Sequence, residues 1–400
     1  MRPATICLAL FLTALCTPPT LLAETFGTGA NQFTIDFVTV GNPGNAADTT
    51  GTPNPAGSVP YVYRMGKYEI SRDMVIKANS QGELGITLAD MTAFGGNGTN
   101  RPAAGISWNE AVRFVNWLNT SQGFEPAYKV SSQPDDVGYS ANTDILLWQT
   151  GDLGYNAANP FRNTLARYFL PSVDEWYKAA YYDPNANGGA GGYWFYPIGS
   201  DTTPTAVSGG TAPDAAVYKQ LLAQGPADVN NAGSPSPYGV MGMGGNVWEW
   251  EETEVDLVND NGASFRGLRG GSWTTGPFGL QASNRGGDAP SFEFNIIGFR
   301  VASLPVFVCG DFDKDLDVDS ADLVDFLSAW TGEGGTGATP DRGDCDVDGD
   351  VDSADMLTFL SHWTGSAESG RVASVPEPAM GLLVSVAITG LLLAHRRRRA

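Results

Sequence analysis

Three short blocks follow one another between Gly239 and Ala302: GVMGMGGNVWEW, LRGGSW and IGFRVA. All three contain glycine, and the first two contain tryptophan. Glycine allows the backbone to approach closely and to turn in ways closed to other residues. Tryptophan adds a large apolar area and one N–H group that needs a partner. The chain has 50 glycines and 25 prolines in 400 residues, against a usual glycine share of roughly 7%. We therefore expect a loop-rich domain held by aromatic side chains, and not a helical bundle.

Two helix starts precede these blocks. Ser107 with Glu110, and Ser172 with Glu175, have the S-x-x-E spacing of a capping box, and Pro171 ends a strand before the second helix. Apolar residues then recur at helical spacing. The predicted buried faces consist of Trp108, Ala111, Val112, Val115 and Leu118 in the first helix, and of Trp176, Ala179 and Ala180 in the second.

In this order, and with YVYRMGKYEIS from Tyr61 onwards, the blocks resemble the sulfatase-modifying factor family, which includes the formylglycine-generating enzymes, over roughly residues 33–303. The resemblance implies an α+β, C-type-lectin-like fold with little regular secondary structure in a domain at 24–303. Arg269 and Arg300 suit pairing with buried carboxylates such as Glu249. The predicted core tryptophans are Trp108, Trp176, Trp248, Trp250 and Trp273.

The chemistry that this resemblance implies uses copper-binding cysteines just after the GGS-aromatic block, or three iron-binding histidines. Here that segment, residues 274–285, reads TTGPFGLQASNR, and residues 24–303 contain neither cysteine nor histidine. We therefore predict no catalytic residues and no cofactor beyond calcium. The family pattern also implies a second type of calcium site, formed by the backbone carbonyls of Gly245 and Val247 and by the Glu249 side chain. We expect this site to bind calcium weakly, because Gly242 stands where the family has a further ligand.

An acidic repeat follows the domain. Residues 311–332 and 344–365 match at 15 of 22 positions, and residues 304–370 hold 16 of the chain's 44 acidic residues. Each copy has EF-hand calcium-loop spacing followed by an amphipathic helix, and the pair resembles a dockerin type I module, a small all-α unit predicted at 304–370. Gly349 suits the turn at loop position 6 better than Leu316. The predicted Ca²⁺ ligands are Asp311, Asp313, Asp315, Asp317, Asp319 and Asp322, then Asp344, Asp346, Asp348, Asp350, Asp352 and Asp355.

Two cysteines flank these loops. Cys309 lies two residues before the first loop, and Cys345 is position 2 of the second. In an exported chain, where the surroundings are oxidising, we expect them to form a disulfide.

Both chain ends carry targeting patterns. Arg2 precedes the apolar run ICLALFLTALC, which predicts a signal peptide at 1–23 with cleavage near Ala23. At 371–400, a Pro-Glu-Pro tripeptide, an apolar stretch and Arg396 to Arg399 resemble a PEP-CTERM sorting signal. That resemblance implies a transmembrane helix before processing and an exosortase-type sorting machinery as partner. We expect export across the inner membrane of a Gram-negative-type bacterium to the cell envelope or surface.

Charge excludes one function class and leaves three. A net charge of −21 argues against nucleic-acid binding, which needs a basic face. The first hypothesis is a surface-anchored calcium-binding protein whose domain is a non-catalytic binding or structural platform, with a glycan as ligand by fold analogy only. The second is an active sulfatase-modifying-type oxidoreductase with a non-standard site. The third is a dockerin adaptor for a cohesin-like or polysaccharide-associated partner, although the module also suits an intramolecular spacer.

Overall fold

The computed structural model describes residues 21–305, 310–312, 318–336, 338, 343–345 and 349–363. The chain divides into two compact units, one holding the described residues up to 305 and one holding those from 310 onwards. The sorting tail predicted at 371–400 and residues 1–20 of the predicted signal peptide lie outside the described residues. So do the following predicted site residues: Cys309, Asp313, Asp315, Asp317, Asp346 and Asp348.

The larger unit mixes two long helices with many short strands. Its helices are α1 (Arg72–Gly82), α2 (Trp108–Ser121), α3 (Val173–Tyr181) and the single turn α4 (Ala186–Gly189). Its strands are β1 (Leu21–Phe26), β2 (Phe33–Val40), β3 (Tyr63–Gly66), β4 (Tyr168–Phe169), β5 (Tyr182–Asp183), β6 (Gly192–Tyr193), β7 (Thr205–Ala206), β8 (Ala215–Ala216), β9 (Trp248–Glu254), β10 (Arg266–Arg269), β11 (Gly286–Asp288), β12 (Ile297–Gly298) and β13 (Ala302–Ser303).

Two sheets organise this unit. The first has the order β1-β2-β3-β13-β4, with every neighbouring pair antiparallel. The second has the order β11-β10-β9-β12, in which only β12 runs parallel to β9. Strand β13 follows β12 closely in the chain, so the block IGFRVA spans from one sheet to the other. The expected α+β fold with short elements is confirmed.

Both predicted capping boxes are present. The Ser107 and Ser172 hydroxyls accept hydrogen bonds from the backbone N–H groups of Glu110 and Glu175, whose carboxylates bond back to the cap N–H groups. All the residues predicted on the two buried faces are buried. The helices therefore begin where the sequence places them.

The tryptophan prediction is wrong at one position. Trp108, Trp176, Trp250 and Trp273 are fully buried, but Trp248 is only partly buried. Strand β10 pairs with β9 no further than Glu249, so Trp248 lies beyond the end of that pairing and keeps part of its ring in solvent.

The smaller unit contains two helices, α5 (Ser320–Ser328) and α6 (Ser353–Ser361). Each helix follows one copy of the acidic repeat in the sequence. Their rings meet across the repeat: Phe326 and Phe359 lie 5.1 Å apart between centroids, and Phe312 stacks on Phe359 at 6.0 Å. Phe326 and Phe359 are fully buried, so the helices share one small apolar core. Among the described residues, no helix is both long and apolar enough to cross a membrane.

Candidate functional site

Strand β9 concentrates buried negative charge. It carries four glutamates, Glu249, Glu251, Glu252 and Glu254, and each is 0% exposed. An unpaired carboxylate at such a position would be too costly to keep ionised. Each glutamate is therefore expected to have a cationic partner, and each has an arginine within salt-bridge distance.

Glu249 uses both of its carboxylate oxygens in its pair with Arg300. Its Oε2 accepts hydrogen bonds from Arg300 Nε at 2.5 Å and from Trp176 Nε1 at 2.7 Å, and its Oε1 accepts one from Arg300 Nη2 at 2.6 Å. Arg300 also donates to the backbone carbonyls of Gly66 and Met241. The predicted Arg300–Glu249 pair is confirmed. Through Arg300, the block IGFRVA therefore contacts both strand β9 and the first sheet.

Arg269 pairs with a buried carboxylate as predicted, but that carboxylate is Glu251. Arg269 Nε donates to Glu251 Oε1 at 2.7 Å, while Arg285 Nε donates to Oε2 at 2.8 Å. Glu252 pairs with Arg162, which also forms a bidentate pair with Glu175 of the second capping box. These pairs link β9 to α3 and to the loops that carry Arg162 and Arg285. The charged residues of the sequence blocks therefore stabilise the fold.

Glu69, from the segment KYEIS, is 1% exposed, and among the described residues no arginine lies within salt-bridge distance of it. Its oxygens accept hydrogen bonds from Asn246 Nδ2 at 2.5 Å and from the Val247 N–H at 3.2 Å. Burial, and secondarily repulsion from Glu249, raise the pKa of Glu69 to about 8. Sequence analysis missed this residue because its partners lie far away in the chain. Its one signal was its place in the family's opening block.

The predicted weaker calcium site includes Val247, whose N–H donates to Glu69. Gly242, where the family pattern has a ligand, has φ +76°, and a Cβ placed there would lie 3.5 Å from Glu69 Oε2. The Glu249 carboxylate is already occupied by Arg300 and Trp176, as described above. The structure thus gives Glu249 a pairing role, and calcium at Gly245, Val247 and Glu249 remains a prediction without support from this geometry.

Segment 274–285, where the family's thiols are expected, begins with two threonines whose hydroxyl groups form a cluster with Ser272. Thr275 Oγ1 accepts a hydrogen bond from the Ser272 N–H at 3.0 Å and donates to the Ser272 carbonyl at 2.9 Å. The Ser272 and Thr274 hydroxyls lie 3.1 Å apart, and Leu280 is fully buried. Residues 21–305 contain no cysteine or histidine. The hydroxyls therefore have no imidazole beside them to act as a base.

The acidic loops have matching frameworks where the structure describes them. Asp322 accepts hydrogen bonds from the N–H groups of Phe312 and Asp319, and Asp355 accepts the equivalent pair from Cys345 and Asp352. The aspartate at position 12 of each loop thus accepts hydrogen bonds both from the first residues of its loop and from the residue that caps the following helix. Asp311 and Asp344, at position 1, are buried as well.

The second loop brings three predicted ligands together. Asp350, Asp352 and Asp355 each place one carboxylate oxygen within 4.8 Å of the other two. Gly349, at position 6, has φ +96°, which is the conformation that the loop was predicted to need there. Asp350, at position 7 of the loop, contributes its side chain to the cluster. Oxygen donors of this kind suit Ca²⁺.

Comparison with known proteins agrees with the resemblance of the blocks. Residues 37–304 match the family described as sulfatase-modifying factor enzyme 1-like domain. The chain belongs to this family. A curated relative from Bacillus subtilis (strain 168), described as uncharacterized protein YfmG, is 32% identical over 93 residues. That match spans 20% of this chain and only 19% of the relative.

Three solved structures are similar to this chain at low sequence identity. Treponema denticola variable protein 1 is 20% identical with a TM-score of 0.45, over 72% of this chain and 100% of that one. CarF is 19% identical with a TM-score of 0.45, over 68% and 98%. PvdO from Pseudomonas aeruginosa is 17% identical with a TM-score of 0.43, over 72% and 99%.

Proposed function

We propose that this protein is an exported, surface-anchored, calcium-binding protein whose family domain is a non-catalytic binding or structural platform. The observation that carries the proposal is the hydroxyl cluster at 272–285. Cu(I) prefers thiolate ligands, and a serine or threonine hydroxyl is a weak nucleophile unless a base activates it. The cluster offers neither, while the buried Glu–Arg pairs that hold the fold are intact.

A turnover assay tests the non-catalytic part. The ectodomain, residues 24–370, is incubated with a peptide carrying a sulfatase motif, with and without copper, and the products are read by mass spectrometry. We expect no conversion of cysteine to formylglycine above the no-enzyme control. A single measured turnover overturns the proposal and favours the alternative of an oxidoreductase with a non-standard site.

The acidic repeats supply the calcium part of the proposal. The clustered oxygens of Asp350, Asp352 and Asp355 support a cation site in the second loop, and the matching hydrogen bonds of Asp322 and Asp355 support an equivalent site in the first. We propose one Ca²⁺ for each loop. Isothermal titration of the ectodomain should give two ions, and fewer than one ion overturns this part.

The anchoring part rests on the sequence of the two chain ends. Removing residues 371–400 should release the protein from the cell surface into the medium, and removing the exosortase should leave the full chain in the membrane fraction. A truncated chain that stays cell-associated counts against the sorting tail.

One observation favours the adaptor as a second candidate. Val324 in α5 and Leu357 in α6 occupy the same position of the two repeats and are 67% and 71% exposed. Duplicated apolar side chains on the surface suit a partner that docks on either helix. Pull-down with cohesin domains, comparing the native chain with a Val324→Asp/Leu357→Asp variant, tests this. Capture of the native chain and loss in the variant favour the adaptor.

A further inference from the structure

A cavity of about 350 Å³ lies beside α2, between that helix and the loop at 126–148. Its volume falls within the range of small-ligand pockets, about 300–1,000 Å³. Segment 274–285 and the Glu–Arg pairs of β9 contribute no residue to its wall. The residues that stabilise the fold around β9 therefore give this cavity no role.

Three aromatic side chains line the cavity and keep part of their surface exposed: Trp117, Tyr139 and Trp148. The Trp148 Nε1 donates to the Ala127 carbonyl at 3.0 Å, and the Tyr139 hydroxyl donates to the Leu84 carbonyl at 2.7 Å. Because these two polar groups are bonded within the protein, the two rings offer mainly carbon surface to a ligand. Such surface suits a ligand with an apolar face.

The two cations of the lining are used within the protein. Arg113 is 4% exposed, and its guanidinium lies over the Tyr139 ring, 5.7 Å from the centroid. Lys129 pairs with Asp152 at 2.6 Å, and its Nζ lies 5.7 Å from the centroid of the Trp148 ring. No aspartate or glutamate is among the described residues that line the cavity. One cation is buried and the other already has its counter-ion, so the cavity favours a neutral ligand.

Two polar side chains of the same loop stand at the cavity with unused hydrogen-bonding capacity. Ser132 is partly exposed and Gln133 is exposed, and both line the cavity. Gln133 donates its backbone N–H to Asp136, but within the described residues no hydrogen bond is made by its side-chain amide or by the Ser132 hydroxyl. A hydroxyl and an amide can each donate and accept. They match the hydroxyl groups of a sugar, whereas a purely apolar ligand would leave them unused.

We propose that this cavity binds one or two neutral hexose units of a polysaccharide. The C–H face of the sugar packs on the exposed parts of Trp117 and Trp148, and its hydroxyl groups exchange hydrogen bonds with Gln133 and Ser132. A wall of aromatic surface with a few polar groups is typical of sites that fix the orientation of a small ligand. This inference rests on the proposed platform function and names the site and the class of its ligand.

Titration calorimetry on the calcium-loaded ectodomain tests this with mannotetraose, cellotetraose and galactotetraose as neutral probes. Tetragalacturonate is the charged counterpart of the last probe, and octaproline tests for a proline-rich peptide as the occupant instead. We expect at least one neutral probe to bind, with an affinity that changes less than twofold as salt rises, because no charge pair forms. The charged tetramer should bind no more tightly than its neutral counterpart.

Variants of the cavity wall locate the binding. Trp148→Ala should lower the affinity for the neutral probe at least tenfold, because it removes ring surface. Gln133→Ala should lower it a few-fold without changing the melting temperature, because this side chain makes no hydrogen bond within the described protein. The matched controls are Phe265→Ala and Gln224→Ala, which remove an exposed ring and an exposed amide outside the cavity. Both controls should leave the affinity unchanged.

Every other result counts against the cavity or against the platform. Absence of binding by all three neutral probes overturns the inference, as does tighter, salt-sensitive binding of tetragalacturonate or tighter binding of octaproline. If Trp148→Ala does not fold, an unchanged affinity in Gln133→Ala overturns it. If a neutral probe binds every variant equally, the cavity inference fails and the platform proposal stands. Turnover in the formylglycine assay overturns the platform, whatever the cavity binds.

Discussion

Strand β9 and the acidic repeats both bury carboxylates, and they neutralise them differently. The four glutamates of β9 face arginines from distant parts of the same domain. In the second loop, one carboxylate oxygen each of Asp350, Asp352 and Asp355 lies within 4.8 Å of the other two. The first arrangement carries its counter-charge in the sequence, whereas we propose that the second binds a cation from solution. The two units should therefore respond in opposite ways to salt, chelator and mutation.

Chelation should produce the largest difference. With EDTA, α5 and α6 should unfold, because the clustered acids repel one another once the ion leaves. Residues 24–303 should stay folded. Hydrogen exchange of the ectodomain, with EDTA or with millimolar Ca²⁺, measures both units at once.

Single loop variants sharpen this prediction. Asp348→Ala should weaken calcium binding more than Asp315→Ala, because the second loop has glycine at position 6. Exchange in α5 and α6 that does not change between EDTA and calcium would contradict the comparison.

Breaking one β9 pair should come next. Glu249→Gln or Arg300→Met should each lower the free energy of unfolding by about 3–5 kcal/mol, because the partner charge stays buried and unpaired. Arg269→Ala belongs to the same class. Denaturant unfolding in excess calcium measures this.

The exposed pair between Lys77 and Asp73 provides the control. Lys77→Met should change stability by less than about 1 kcal/mol. If Glu249→Gln also lowers the free energy of unfolding by less than about 1 kcal/mol, the buried pair does not stabilise the domain.

The disulfide should have an effect of similar or smaller size. Cys345 is disulfide-bonded, and its predicted partner is Cys309. Closing a loop of about 35 residues stabilises by roughly 3–4 kcal/mol in the chain-entropy model, so a Cys309→Ser/Cys345→Ser variant should need more calcium to fold. Labelling of both thiols in the native secreted protein would refute the pairing.

The smallest effect, taken per pH unit, should be a pH dependence of the larger unit, because one titrating group changes the free energy of unfolding by at most about 1.4 kcal/mol per unit. Burial raises the pKa of Glu69 from 4.5 to about 8. Between these values the folded state keeps a proton that the unfolded state loses, so stability should fall as pH rises from about 4.5 to about 8. Burial raises the pKa values of Asp174 and Glu293 as well, with the same sign.

Melting temperatures measured across this range test the Glu69 contribution. Glu69→Gln should flatten the slope even if its absolute stability is lower. A slope of the native domain that rises with pH would contradict the assignment.

Local patterns in the sequence predict local structure well in this chain. Both capping boxes, both buried helix faces and the turn at Gly349 follow from residues within four positions of one another. Long-range pairing is harder to predict. Sequence analysis selected Glu249 with Arg300 correctly, because the strongest blocks contain both, but it did not foresee that Arg269 would meet Glu251.

What sequence analysis missed depends on distance in the chain. Glu69 bonds to Asn246, which lies 177 positions away in the sequence. No periodic pattern in the sequence predicts such a contact. Arg113 stands on the buried side of a well-predicted helix, yet only the structure shows that its guanidinium lies over the Tyr139 ring, 5.7 Å from the centroid. Trp248 was assigned to the core from its type alone, and the end of the β10 pairing decides otherwise.

The two glycines at the loop entries have a consequence for how the repeats change over time. A Cβ on Gly310 would lie 2.9 Å from Val318 and 3.2 Å from Phe359, and one on Gly343 would lie 3.1 Å from Val351 and 3.5 Å from Phe326. Each glycine thus touches the valine of its own loop and the phenylalanine of the other repeat. This is the reciprocal contact of a two-fold symmetric dimer, here between two halves of one chain. Replacing either glycine with a larger residue would require a smaller side chain in place of the phenylalanine of the other repeat. Substitutions at these positions of the two repeats are therefore expected to be coupled in evolution.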